Sequence, residues 1–472
     1  MERNMFEKWF HLKEHKTDVK TEILAGVTTF LAMAYILAVN PNILSACGMD
    51  RGGVLIATAL ASFVGTVLMA MLANYPFVLA PGMGLNAYFA FTVCLTMGYS
   101  WQFALAAVYV EGVLFLLLSL LNIREAIFNA IPLALKSAVG VGIGLFIAFI
   151  ALQNAHIIVD SPATLITIQG FNVNNIHTHG VCAILTMIGT LITAALMQRN
   201  VRGSILIGIL ATWILGMIAQ ATKLYQVNPE LGCFSLYPNF SFDTFAETFK
   251  GFRSVCGALF KSSSWTQKDS ALTGFSLLGS MNFFTIMFAF LFVDLFDTLG
   301  TLIGVATKAD MLDEKGRLPK IKGALLADSI ATAVGAIFGT STTTTFVESA
   351  TGVAEGGRTG LTAWTAAILF LLAICLSPLF LAIPAFATAP ALIVVGFYMM
   401  TTIVRIDFNN LYDAIPAYIT IIAMPFAYSI SDGISFGVIS WTILNLFSKN
   451  RSKVSWLMIV LTILFILKYA LL

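Results

Sequence analysis

Charge is what this sequence has least of. Only 11% of its 472 residues are Asp, Glu, Lys or Arg, against about 25% in an ordinary soluble domain. A water-covered surface of this size cannot be built from so few charges, which excludes a soluble enzyme, a nucleic-acid binder and a disordered scaffold. No sign dominates either. The 26 Lys and Arg nearly cancel the 24 Asp and Glu, leaving no basic patch to attract nucleic acid and no acidic tail. Cysteine is sparse: six residues with no Cys-x-x-Cys spacing argue against a metal framework. Of the five histidines, His11, His15, His177 and His179 lie in polar segments and His156 at a helix end, none at ligand spacing from acids; His177-Thr-His179 reads as a solvated loop. Gly82-Met-Gly84 lacks the strand, helix and acid of a dinucleotide fingerprint. No nucleophile, base and oxyanion set emerges, so the expectation is no catalytic residue, no metal and no bound cofactor. A cleavable signal is missing as well: residues 1–21 are polar, with Lys8, Lys13, Lys16 and Lys20 ahead of the first apolar run.

What the chain has instead is apolar mass. Hydrophobic residues make up 58%, including 38 Phe, and the mean hydropathy is +0.88. Hydrocarbon is then the solvent, and spans of about 20 apolar residues are required. Runs bounded by Gly, Pro and charge predict spans near 22–41, 53–75, 81–99, 101–122, 132–155, 180–198 and 203–220. A second set is expected near 275–303, 323–339, 342–355, 361–383, 389–404, 415–429 and 433–447. The fold class is an all-α polytopic membrane protein with fourteen segments. Basic residues collect in one set of loops: Arg124, Arg199, Arg202, Lys308, Lys315, Arg317, Lys320, Lys322, Arg358 and Arg405. That set is expected to face the cytoplasm together with the N-terminus. Lys449, Arg451 and Lys453 fall on the same side, so the C-terminal run in 449–472 is expected as an interfacial or packed terminal helix and not as a fifteenth span. Cys233 and Cys256 share the long polar loop 221–274, and a disulfide or two free thiols are both compatible with it.

The two sets look like copies. A shift of 270 residues superposes Ala57 on Ala327, Ala61 on Ala331, Val64 on Val334, Gly65 on Gly335 and Gly82 on Gly352. Further on, Ile131-Pro132 matches Ile383-Pro384 and Gly144 matches Gly396. An odd-numbered unit duplicated across a membrane is inverted, so a 7+7 inverted repeat is expected.

Two segments at corresponding places are poor helices. Tyr75 to Gly84 contains two Pro and two Gly, and Gly339 to Glu348 contains a run of Thr. Segments 3 and 10 are therefore expected to open with short extended strands, each leading into a half-helix, the two strands being able to pair. Irregular backbone at that depth survives only inside protein or along a polar cavity, so this crossing is the expected binding site.

Six ionisable residues lie within the apolar runs: Glu111, Lys136, Asp294, Asp297, Asp328 and Glu348. A central Asp costs about 2.5 to 3.5 kcal/mol on insertion scales, so each needs an offset. Lys136 can snorkel from a helix end. Asp294, Asp328 and Glu111 fit a buried hydrogen-bonding role as well as a functional one. Asp297 and Glu348 fall at or beside the backbone breaks, and carboxylates converging on a cavity can exchange a transported proton.

At these residues the sequence resembles the nucleobase:cation symporter-2 family, the xanthine/uracil permeases, in its adenine/guanine/hypoxanthine permease branch. Four stretches carry the resemblance in order: Ala25-Gly-Val-Thr-Thr-Phe-Leu-Ala-Met-Ala-Tyr-Ile with Val39-Asn-Pro41; Ala80-Pro-Gly-Met-Gly-Leu-Asn-Ala-Tyr-Phe89; Phe292-Val-Asp-Leu-Phe-Asp-Thr-Leu-Gly-Thr301; and Thr342-Thr-Thr-Thr-Phe-Val-Glu-Ser-Ala-Thr-Gly352. It implies a core domain from 22–122 and 275–383, and a gate domain from 131–220 and 384–448. It also implies substrate contacts from Asp297, Glu348, Gly84, Asn86 and Phe89, to which Thr301 is added here, with Asp297 and Glu348 coupling the proton. Thr301 stands where uracil and xanthine relatives carry His or Asp, a departure that shifts the proton relay toward Asp294.

The expected function is a secondary transporter, not an enzyme, importing a purine nucleobase with H+ through the cytoplasmic (inner) membrane of a cell. Guanine and hypoxanthine fit best, because a carboxylate accepts ring N–H and exocyclic NH2 donors and Phe rings sandwich the plane. Adenine transport, Na+ coupling and, more distantly, a selective channel are the rivals. The lipid bilayer is the expected surrounding, nucleic acid is not a partner, and a homodimer is compatible with the sequence without being specified by it.

Overall fold

The computed structural model describes residues 5–121, 131–161, 164–171, 175–201, 203–228, 233–238, 242–268, 273–308, 311, 318–448, 451 and 454–471. Arg124, Arg202, Lys315, Arg317, Lys449 and Lys453, which carry part of the sidedness argument, lie outside these residues. The first half runs α1 (Met5–Phe10), α2 (Val19–Met33), α3 (Ile36–Ser45), α4 (Arg51–Leu72), β1 (Leu79–Pro81), α5 (Met83–Ala87), α6 (Trp101–Leu120), α7 (Leu133–Asn154), β2 (Ile158–Ser161), β3 (Leu165–Ile168), α8 (Val181–Gln198) and α9 (Ser204–Ala221). The polar stretch that follows contains α10 (Phe242–Val255). Then come α11 (Met281–Lys308), α12 (Ile321–Phe338), β4 (Thr343–Thr345), α13 (Ser349–Ala354), α14 (Gly360–Ala373), α15 (Ser377–Ala382), α16 (Ala385–Met400), α17 (Leu411–Phe426), α18 (Ile430–Leu446) and α19 (Trp456–Leu471).

The protein is mostly helical, and among the described residues nine helical stretches are long and apolar enough to cross a membrane. Several expectations change in detail. The first segment is two helices, because the chain tightens at Ala34-Tyr35 into three-residue bonds, Leu37 N–H to Ala34 and Ala38 N–H to Tyr35. An unforeseen hairpin, β2 with β3, pairs Ile158 with Ile168 through Ser161 with Leu165, as expected of β-branched alternation. Cys233 and Cys256 carry free thiols, and the Cys233 thiol neighbours Cys182 on α8 and Tyr225. The last helix, α19, packs against α18 and α11, with Tyr469 donating to Asp432 Oδ1 at 2.6 Å in the first turn of α18 and Phe465 meeting Phe288 of α11 at 5.7 Å.

The helices pack as two groups. In one, α4 packs on α3, α12 and α14, with α6 on α12 and α2 on α14; in the other, α7 packs on α16, α17 and α18, with α8 on α9 and α16. Each group has a close contact that joins positions superposed by the internal repeat. A Cβ on Gly65 would lie 2.7 Å from that of Ala331, and one on Gly335 would lie 3.5 Å from that of Ala61. Likewise a Cβ on Gly144 would meet the Gly396 carbonyl at 2.6 Å, and one on Gly396 the Gly144 carbonyl at 2.5 Å. Such reciprocal pairs are what two equivalent helices make about a local two-fold axis. Small residues there let backbones approach where lipid supplies no hydrophobic drive for helix association.

Glu22 fastens α2 to α14. Fully buried, its carboxylate accepts the Arg358 N–H at 2.9 Å, the Thr362 N–H at 3.2 Å, the Thr359 N–H at 3.3 Å and the Thr362 hydroxyl at 2.6 Å. It thereby satisfies donors that the start of α14 would otherwise leave orphaned. Glu22→Ala is expected to cost about 2 to 4 kcal/mol, since an unsatisfied buried donor costs about 1 to 3 kcal/mol. Glu22→Gln, which keeps an acceptor oxygen, should lose less. Thermal unfolding in detergent checks this, and an unchanged midpoint for Glu22→Ala would remove the capping role.

At the end of α7, His156 takes a left-handed conformation with φ 55° and lies against His179, ring centroids 3.8 Å apart. Burial, reinforced by the second imidazole, brings His156 down to about 4. The fold therefore holds the neutral ring. Its contribution should be complete above the ordinary His value of about 6.5 and be lost as pH falls from there toward 4. A pH series of unfolding midpoints should show that slope, and His156→Gln should flatten it.

Candidate functional site

The site begins with backbone. Antiparallel pairing of β1 with β4 sets Leu79 opposite Thr345, Ala80 opposite Thr344 and Pro81 opposite Thr343. Three residues a side cannot satisfy themselves, and side chains from neighbouring helices do the rest. Thr66 of α4 accepts the Leu79 N–H at 3.0 Å and donates to the Leu79 carbonyl at 3.2 Å. Thr332 of α12 donates to the Thr343 carbonyl at 3.0 Å, and Ser349 accepts the Val78 N–H at 3.0 Å. Backbone bonds from Gly82 to Thr342 and from Phe346 to Val78, both 3.0 Å, extend the crossing. Asn40 of α3 steadies its far end, donating to Thr58 at 2.7 Å and Thr340 at 2.9 Å.

Burial separates the five acids of the apolar segments. Glu111, Asp294 and Asp328 are fully buried, whereas Asp297 and Glu348 are only partly so. Glu111 accepts the Thr342 hydroxyl at 3.3 Å. Asp294 and Asp328 converge on one hydroxyl: Thr298 Oγ1 lies 3.0 Å from Asp294 Oδ1, 2.9 Å from Asp328 Oδ1 and 2.9 Å from Thr344 Oγ1. A hydroxyl has one hydrogen and serves one of two carboxylate oxygens at a time.

Asp297 and Glu348 reach the crossing from different elements and act on each other electrostatically. Asp297, on α11, places Oδ2 beside Gly82, where a Cβ would stand 3.4 Å from that oxygen and 2.5 Å from Thr344 Cγ2. A Cβ there would clash with the Thr344 methyl while making only ordinary contact with Asp297. Glu348 heads α13 yet makes no side-chain bond to the helix it precedes. Its Oε1 instead accepts the Tyr35 hydroxyl at 2.7 Å, from the break between α2 and α3.

The other residues named from sequence divide. Gly84 faces the second helix group, since a Cβ there would meet Ile143 Cγ2 of α7 at 2.7 Å. Thr301 is half-buried, one turn beyond Asp297 on α11. Asn86 is turned inward: its Oδ1 accepts the Ser341 hydroxyl and its Nδ2 reaches the Pro81 carbonyl at 3.4 Å, so its amide braces the crossing. Phe89 is fully buried against Phe290, centroids 6.4 Å apart. The structure thus gathers Asp297 and Glu348, ties Asp294 to the buried Thr298 group, and builds Asn86 and Phe89 into the packing. Sequence reasoning passed over Tyr35, Gly82 and Thr298; a lone phenol in Met33-Ala-Tyr35 was the available signal for the first. Among the described residues no three His, Cys, Asp or Glu are grouped to hold a metal.

Known proteins share this chain along its length. The xanthine/uracil permease model, described as a permease family, matches residues 20–436. The guanine/hypoxanthine permease PbuO of Bacillus subtilis is 42% identical over 97% of this chain and 99% of its own. The adenine permease AdeP of Escherichia coli is 39% identical over 99% of this chain and 96% of its own. In fold, the chain is similar to the transmembrane domain of the cyanobacterial bicarbonate transporter BicA, with a TM-score of 0.59 at 13% identity over 89% of this chain and 97% of that one. With its apolar spans, this makes the chain a multi-pass membrane protein and a transporter, not an enzyme: it belongs to the xanthine/uracil permease family.

Proposed function

We propose that this protein imports purine nucleobases by proton symport, with guanine and hypoxanthine as preferred substrates. The observation that carries the reading is that Asp297 and Glu348, the two partly exposed acids of the apolar segments, lie by the paired strands, Asp297 beside Gly82 just after β1 and Glu348 just after β4. Their oxygens accept the N–H edge of an oxopurine, and Gly84, Thr301 and the crossing backbone supply the rest of the contact surface. Asn86 and Phe89 act one layer behind, Asn86 by holding Ser341. Similarity to a guanine/hypoxanthine permease supports the substrate class. Similarity to an adenine permease keeps adenine as a second reading.

Proton coupling rests on the acids. Asp294 and Asp328 converge on the Thr298 hydroxyl, and Asp297 and Asp328 act on each other electrostatically, so a proton taken up at Asp297 is felt by the buried pair. Asp297, Glu348 and Asp294 are the proposed proton-coupling residues. Alternating access would move a core (α2 to α6 with α11 to α15) against a gate (α7 to α9 with α16 to α18). The fourteen segments would form a 7+7 inverted repeat in the cytoplasmic membrane, with the N-terminus inside.

In proteoliposomes, an inward proton gradient should drive uptake of labelled hypoxanthine, and an imposed Na+ gradient should not. Asp297→Asn and Glu348→Gln should reach the membrane and lose at least about 100-fold in uptake, as removal of a charged partner from a desolvated site costs about 3 kcal/mol or more. Near-normal uptake by both variants would sink the assignment. Unlabelled guanine should compete more strongly than adenine; the reverse order would favour the adenine reading. Gly82→Val, whose side chain would press on Thr344 and the Asp297 carboxylate, should also abolish uptake.

A further inference from the structure

Tyr35 occupies a place that neither the motifs nor the proposed contacts explain. It lies where the first apolar segment is interrupted, between α2 and α3, and it is fully buried. A phenol in such surroundings needs a partner, and the partner is Glu348, 313 residues away. The phenol is thus bonded to one of the two acids of the site.

Glu348 shows what this contact does. Glu is too long to cap the helix it precedes, and Glu348 makes no cap bond to α13; its Oε1 accepts the Tyr35 hydroxyl. A free Glu side chain has three rotatable bonds, and ordering it on ligand arrival costs affinity. Tyr35 restrains it beforehand by one charge-assisted hydrogen bond of 2.7 Å.

We propose that Tyr35 is a positioning residue of the nucleobase site: its phenol holds the Glu348 carboxylate in one place, ready to accept the base. The inference rests on the purine reading above. Tyr35 itself need not touch the base, and its effect passes through Glu348.

Initial rates of labelled hypoxanthine uptake in proteoliposomes test this. Tyr35→Phe keeps the ring and removes the hydroxyl. Its KM should rise about tenfold, the scale of one hydrogen bond to a charged group, with the maximal rate within about twofold and the unfolding midpoint unchanged. Glu348→Asp is a methylene shorter and draws its carboxylate back from Tyr35. In that background the further change Tyr35→Phe should raise KM by less than about twofold. A wild-type KM in Tyr35→Phe overturns the proposal. So does a fall in maximal rate or thermal stability with KM unchanged, the mark of a merely structural contact, and so does a full tenfold effect in the Glu348→Asp background. Wild-type protein that takes up no nucleobase at all overturns the purine reading, and this inference with it, whereas wild-type uptake with an indifferent Tyr35→Phe sinks the inference alone.

Discussion

In hydrocarbon no water is available to complete a hydrogen bond, so every N–H and C=O at membrane depth must find a partner in the protein. Helices meet that demand by themselves; β1 and β4 do not. Their three-residue ladder leaves backbone groups that Thr66, Thr332 and Ser349 take up, each from a different element. The position of α4, α12 and α13 is therefore tied to the crossing. The price of having extended backbone at that depth is a set of hydroxyls placed to within hydrogen-bond reach of it.

That constraint explains why polar residues are concentrated where the chain is otherwise apolar. Thr340 through Thr345 are buried, and their backbone or hydroxyls face Asn40, Glu111, Thr298 and Thr332. Within this polar interior the acids fall into two kinds. Asp294 and Asp328 share a hydroxyl and lie sealed within the first helix group. Asp297 and Glu348 are only partly buried, one against a glycine and one against a phenol. Burial and not residue type makes the distinction.

The repeat has a similar logic. Two copies of a unit related by a local two-fold axis meet at corresponding positions, and a Gly or Ala at one copy's contact is needed at the other's. Gly65 against Ala331 and Gly335 against Ala61 are one such exchange, and Gly144 against Gly396 is another. The antiparallel pairing of β1 with β4, with Ala80 opposite Thr344 at its middle, likewise joins a strand of the first half of the chain to one of the second.

Much of this was legible in residues alone. Low charge and long apolar runs required a membrane fold. Pro and Gly in Tyr75 to Gly84, and the Thr run after Gly339, located both strands, because backbone preference is a local property. Asp297 and Glu348 stood out because an acid in an apolar run needs an offset. Contacts between distant elements were not legible: Tyr35 on Glu348, Thr298 between two Asp, Glu22 at the head of α14, and α19 packed against α18. Nor was the direction in which Asn86 and Phe89 turn, since a motif gives a position and not the side chain's neighbours. Composition and local propensity decided that the chain would cross a membrane and where its backbone would break. Only the tertiary structure decided which polar groups meet there, because hydrogen bonds reach about 3 Å and two elements must be packed before one can form.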